Sequence, residues 1–64
     1  MKCLAIGIQV EEGEIFATSQ VLDVSSVKDE DEITNCLQEK SGEEFDRILV
    51  VKDDQVAYDF QPCE

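Results

Sequence analysis

Histidine is absent from this 64-residue chain, and with it goes imidazole chemistry. No side chain can serve as an imidazole base, and no Ser-His or Cys-His nucleophile can be assembled. Glycine occurs three times, at Gly7, Gly13 and Gly42, too scattered to build a phosphate-cradling loop. No apolar run approaches the roughly 20 residues that span a bilayer. Basic residues are scarce as well: five stand against sixteen acids, a net charge of −11. A field that negative repels nucleic acid and anionic membranes and attracts basic proteins. The cysteines, Cys3, Cys36 and Cys63, are odd in number and have no metal-motif spacing. With no signal-peptide pattern at the start, they read as reduced thiols of a cytoplasmic protein.

Metal and catalytic chemistry find little support in what remains. Asp29-Glu30-Asp31-Glu32 lacks the spacing and the glycine of a calcium-binding loop. A zinc site from the three cysteines would need a fourth ligand and the meeting of three distant segments. Paired carboxylates abound, but on exposed segments rather than in a pocket that could split their pKa values. The expectation is therefore a protein that is not an enzyme, with no metal and no cofactor.

Hydrophobic residues make up 42% of the chain, near the ordinary globular level. They fall in ordered patterns, which argues against the disorder that so much like charge could favour. The chain reads as one small domain, 1–64, with 61–64 as a tail. A domain of this size buries only about 60% of its unfolded surface.

Lys2 to Val10 is a strand. Leu4, Ile6, Ile8 and Val10 take one face, and Cys3, Ala5, Gly7 and Gln9 the other. A turn at Glu12-Gly13 returns the chain as a second strand, about Glu14 to Val24. A two-residue turn pairs Val10 with Ile15, Ile8 with Ala17, Ile6 with Ser19 and Leu4 with Val21, and sets Phe16 over Gly7. A three-residue turn with a bulge would instead bring Ile8 to Phe16; the sequence leaves both registers open. The helix starts between Val27 and Glu30, capped by Ser26 or Asp29, and stops at Gly42. Its apolar stripe is only Ile33, Cys36 and Leu37, too thin to be a core unless it lies on a sheet.

Phe45 to Lys52 is a third strand, two-sided in its apolar character and so suited to a central position. After a turn at Asp53-Asp54, Gln55 to Gln61 returns as the fourth, ended by Pro62. A regular hairpin sets Val51 against Val56, Leu49 against Tyr58 and Arg47 against Phe60. Phe45, Leu49, Val51, Val56, Tyr58 and Phe60 then share a face. The fold class is α+β in the order ββαββ: a four-stranded antiparallel sheet with one helix packed on one face. Ile48, Val50 and Ala57, with Phe16 or Leu22, are expected on the open face as an apolar interface. On that expectation, Val50→Lys breaks a complex or a dimer while the fold persists.

The acids cluster at Glu11 and Glu12 in the first turn, at Asp29, Glu30, Asp31 and Glu32 at the helix start, at Glu39, Glu43 and Glu44 around its end, and at Asp53 and Asp54 in the second turn. Duplex nucleic acid carries roughly one negative charge per 1.7 Å of axis and is gripped by Lys/Arg grooves. A rigid carboxylate array can occupy such a groove in its place. In size, charge and compact α+β plan the chain resembles the small acidic inhibitors of phages and mobile elements: uracil-DNA glycosylase inhibitors, anti-restriction proteins and anti-CRISPR proteins. No motif carries the resemblance, and it assigns no site. It implies a nucleic-acid mimic whose partner is the basic groove of a defence or repair protein. The alternative is a small interaction or adaptor module, including a homodimer, that works through the open apolar sheet face and an edge strand.

Overall fold

A computed structural model describes residues 1–62. It has two hairpins and one helix: β1 (Lys2–Glu11), β2 (Glu14–Asp23), α1 (Glu30–Ser41), β3 (Arg47–Lys52) and β4 (Gln55–Phe60). The strands form one antiparallel sheet in the order β2-β1-β3-β4, so β1 and β3 are central. This is the expected α+β arrangement, with the central place foreseen for the third strand. Cys63 and Glu64, half of the expected tail, lie outside the described residues.

The first hairpin adopts the two-residue turn. Val10 pairs with Ile15, Ile8 with Ala17, Ile6 with Ser19 and Leu4 with Val21. Glu12 and Gly13 both have positive φ, 49° and 82°, the sign pattern of a turn that matches strand twist. The second hairpin departs from regularity. Val51 pairs with Val56 as expected, but Val50 then pairs with Tyr58, Leu49 with Asp59 and Ile48 with Phe60. Ala57 is thus an extra residue in β4, a bulge. A one-residue insertion moves every later side chain to the opposite face. Tyr58 and Phe60 therefore join Val50 and Ile48, and Val56 is left on the other side with Leu49 and Val51.

This shift decides where the core lies. The helix packs on the face that carries Cys3, Ala5 and Gly7 of β1, with Leu22, Ile48, Val50 and Phe60 around them. Ile33 and Leu37 from the helix are fully buried there, and Val24 and Phe45 close the layer from the flanking segments. Ile48 and Val50, expected as an open interface, are 0% exposed and belong to the core. The reason is volume: the small side chains of β1 leave room for a helix and a phenyl ring, and larger β3 residues fill the space beside them. Leu4, Ile6 and Ile8 on the reverse face leave no such recess. Phe45 lies before β3 rather than in it. Its ring, and not that of Phe16, covers Gly7. Phe16 pairs with Gln9 and is 48% exposed.

The helix ends follow sequence. Asp29 is the N-cap, its Oδ1 accepting from Glu32 N at 3.1 Å. Gly42 ends the helix at φ 73°, its amide donating to Gln38 O at 2.6 Å. Segment 44–46 then runs beside the upper half of β1. Asp46 N donates to Ile8 O, and Val10 N donates to Asp46 Oδ2 at 2.7 Å, so a side chain continues the ladder where β3 has not yet begun.

Candidate functional site

Two surfaces stand out: the carboxylate clusters and the sheet face opposite the helix. Their residues occupy different parts of the molecule.

Strand register divides the acids between two ends of the sheet. Glu11 and Glu14 pair at one end, next to the Glu12-Gly13 turn. The segment after the helix reaches the same end: Gln9 Nε2 donates to Glu44 O at 2.8 Å, and Glu43 shares a shallow cleft with Glu11 and Phe16. Glu11, Glu12, Glu14, Glu43 and Glu44 are all exposed, and among the described residues none of them forms an ion pair. Asp53 and Asp54 lie at the other end. There they share a cleft with Lys2 and Lys52, and Lys52 Nζ contacts Asp53 Oδ2 at 3.1 Å. Asp23 is also at that end; it receives the Met1 ammonium at 2.9 Å, a hydrogen bond and charge that hold its carboxyl below the usual range. The structure therefore does not bring the two turns together.

The helix start is mostly committed to holding the fold. Asp29 caps the helix. Glu32 Oε1 accepts from Ser25 N at 2.9 Å, which ties the β2–helix connection. Glu30 Oε2 accepts from the Tyr58 hydroxyl at 2.7 Å, joining the helix to β4. That hydrogen bond, with desolvation and the nearby carboxylate charge, pushes the Tyr58 phenol above its ordinary pKa. Asp31 makes no side-chain hydrogen bond or ion pair among the described residues, and Glu39 is exposed on the helix. Four consecutive acids thus resolve into three structural ones and one free one. A cleft of about 350 Å³ lies beside them, lined by Glu30, Asp31, Thr34, Asn35 and Phe60.

The cysteines show no reactive setting among the described residues. Cys3 is buried beneath the helix, and burial pushes its thiol up, away from the thiolate a nucleophile needs. Cys36 is half-buried on the helix stripe and packs against the core.

The face opposite the helix carries Leu49, Val51 and Val56, which the regular-hairpin pattern places under the helix. Four of its residues are exposed and large: Val10 at 57%, Ile15 at 73%, Val21 at 62% and Val56 at 60%. Between them lie half-buried Leu4, Ile6, Ile8, Leu49 and Val51. The polar residues on this face are Ser19, the pair Arg47–Asp59, whose Nη2 and Oδ2 meet at 3.2 Å, and at the far end the register partners Lys2 and Asp23; the two acids and two bases cancel in charge. Ala57, also expected as interface, is exposed and is the extra residue of the bulge, next to Val56 in β4. The missed signal was the stripe Cys3-Ala5-Gly7: small residues in alternation mark the side a helix can approach.

No helix is long and apolar enough to cross a membrane among the described residues, and none of their His, Cys, Asp and Glu side chains form a group of three able to hold a metal ion. Comparison with protein-family models, with curated proteins and with solved structures gives no match.

Proposed function

We propose that this protein is a small interaction module whose working surface is the apolar sheet face of Leu4, Ile6, Ile8, Ile15, Val21 and Val56. The observation that supports this is the exposure of four large aliphatic side chains on one sheet face whose few charges, Lys2, Asp23, Arg47 and Asp59, cancel, in a chain with net charge −11. Contiguous apolar patches larger than a few hundred Å² are rare on soluble monomers and mark places where another surface docks. A sheet four strands wide and roughly eight residues long covers about 500 Å² at the usual strand spacing and rise. The test compares the proteins retained by the immobilised wild type with those retained by an Ile15→Lys/Val21→Lys variant, once circular dichroism has shown the fold intact. Loss of specific retained proteins supports the reading; an unchanged set sinks it.

A second reading keeps a role for the charge. Glu11, Glu12, Glu14, Glu43 and Glu44 form one end of the molecule with no ion-pair partner among the described residues. That end fits a basic groove, as a charge mimic that inhibits a nucleic-acid-binding protein would. Asp29, Glu30 and Glu32 are poor probes of this reading, because their reversal would disturb the helix cap, the Tyr58 contact and the preceding loop. Reversing Glu11, Glu12 and Glu43 to lysine is the cleaner test. Binding to a basic partner should then be lost, as it should at high salt.

A further inference from the structure

We propose that the occupant of the open sheet face is a second copy of this chain, packed sheet against sheet across a two-fold axis. The proposal rests on the reading of that face as the working surface and names what covers it. Three features of the molecule select a second copy.

The first is area. Two faces of about 500 Å² each give roughly 1,000 Å² of planar contact, the size at which a specific protein interface becomes sustainable. The centre of the face, Leu4, Ile6, Ile8, Leu49 and Val51, is apolar, with the charged residues towards its margins, as in symmetric dimer interfaces.

The second is the placement of charge. Each copy carries −11, so two copies can meet only where carboxylates do not confront each other. Glu12, Asp53 and Asp54 lie in the turns beyond the strand ends, Glu11 and Glu14 alternate onto the helix side with Gln9 and Phe16, and the helix acids lie on that same side of the sheet. Within the open face the charges are Arg47 and Asp59, paired to each other, and at the far end Lys2 and Asp23, register partners of opposite sign. Asp23 is also bound by the Met1 ammonium, so no unopposed carboxylate lies there. A two-fold axis through the centre of β1 brings Ile6 and its neighbours together and leaves the acidic ends at the rim.

The third is the condition of the sheet edges. The bulge at Ala57 interrupts β4, which discourages edge-to-edge pairing there. Edge pairing through β2 would also leave Ile15 and Val21 in water. Face packing covers them, at the usual separation of about 10 Å between stacked sheets.

Charge gives this dimer a salt dependence opposite to that of a complex with a basic partner. Repulsion between two acidic copies is screened by salt, so the dimer tightens as salt rises. Sedimentation equilibrium tests this on the wild type at about 0.05 M and about 0.5 M sodium chloride, an interval over which the Debye length shortens severalfold. The same measurement on Val21→Lys and Val56→Lys tests the face; these side chains are more than half exposed in one copy, so the fold does not depend on them. The expected result is a wild-type dimer that strengthens severalfold with salt, and a dissociation constant at least about tenfold weaker in each variant. A wild-type dimer untouched by both substitutions overturns the proposal, because another surface then holds the copies. A wild-type monomer at millimolar concentration overturns it too. If that monomer still retains proteins that the Ile15→Lys/Val21→Lys variant loses, the face remains the working surface and only the second copy is wrong. If its retained proteins do not change, both fall.

Discussion

The Phe45 ring lies against Gly7 so closely that a Cβ on Gly7 would stand 2.5 Å from Cδ1 and 2.6 Å from Cγ. This contact lets the segment after the helix close over the small-residue stripe of β1. Gly7→Ala should therefore destabilise the fold by about 1–3 kcal/mol through overpacking. Urea unfolding measures it. Adding Phe45→Leu to Gly7→Ala should recover part of the loss, and a simple sum of the two single effects would show that the contact is not what couples them.

Val50→Lys should unfold the protein and not merely break an assembly. Val50 is 0% exposed in the core, paired with Ala5 of β1 and Tyr58 of β4, and no charged residue is buried with it among the described residues. An unpaired buried charge costs more than about 3 kcal/mol, a large share of the stability of so small a domain. Circular dichroism and a thermal scan separate the outcomes: Val21→Lys keeps the native spectrum, and Val50→Lys does not.

The second hairpin turn holds strain that can be removed. Asp53 and Asp54 both sit at positive φ, 56° and 62°, which aspartate tolerates but asparagine and glycine adopt more readily. Replacing the pair by Asn-Gly should raise stability by about 0.5–1 kcal/mol, read as a shift of the urea midpoint at constant slope. The same replacement removes two acids at the Asp53-Asp54 end without touching the open face.

Alkaline pH should weaken the helix–β4 contact. The hydrogen bond to Glu30 raises the folded-state pKa of Tyr58 above its unfolded value of about 10. A raised pKa gives stability that is fully present below the unfolded value and is lost as pH rises through the folded one. Wild-type stability should thus fall more steeply above about pH 10 than that of Tyr58→Phe. Absorbance at the tyrosinate band should titrate later than free tyrosine, and Glu30→Gln should move it back. A titration at the ordinary value in the wild type contradicts the contact.

Much of the fold was legible because its signals are local. Alternation marked the strands, Glu12-Gly13 marked the first turn though not which of two registers it sets, and Gly42 ended the helix whose start lay at Ser26 or Asp29. The choice of face was not local. It turns on one extra residue, Ala57, which reverses Tyr58 and Phe60, and on the small volumes of Cys3, Ala5 and Gly7, which a count of large apolar residues overlooks. The acidic clusters were visible as runs of sequence. What each acid does was not, since Glu30 and Glu32 are engaged by Tyr58 and Ser25, residues distant in the chain or on another element.

Isotope-filtered NMR on an equal mixture of labelled and unlabelled copies tests the central claim most directly. The predicted result is intermolecular contacts between methyl groups of Ile6, Ile8, Ile15, Val21 and Leu49, with none from Ile33, Leu37 or Val50. Intermolecular contacts confined to the β2 edge or the helix, or none at all in a particle that tumbles as a monomer, would contradict it.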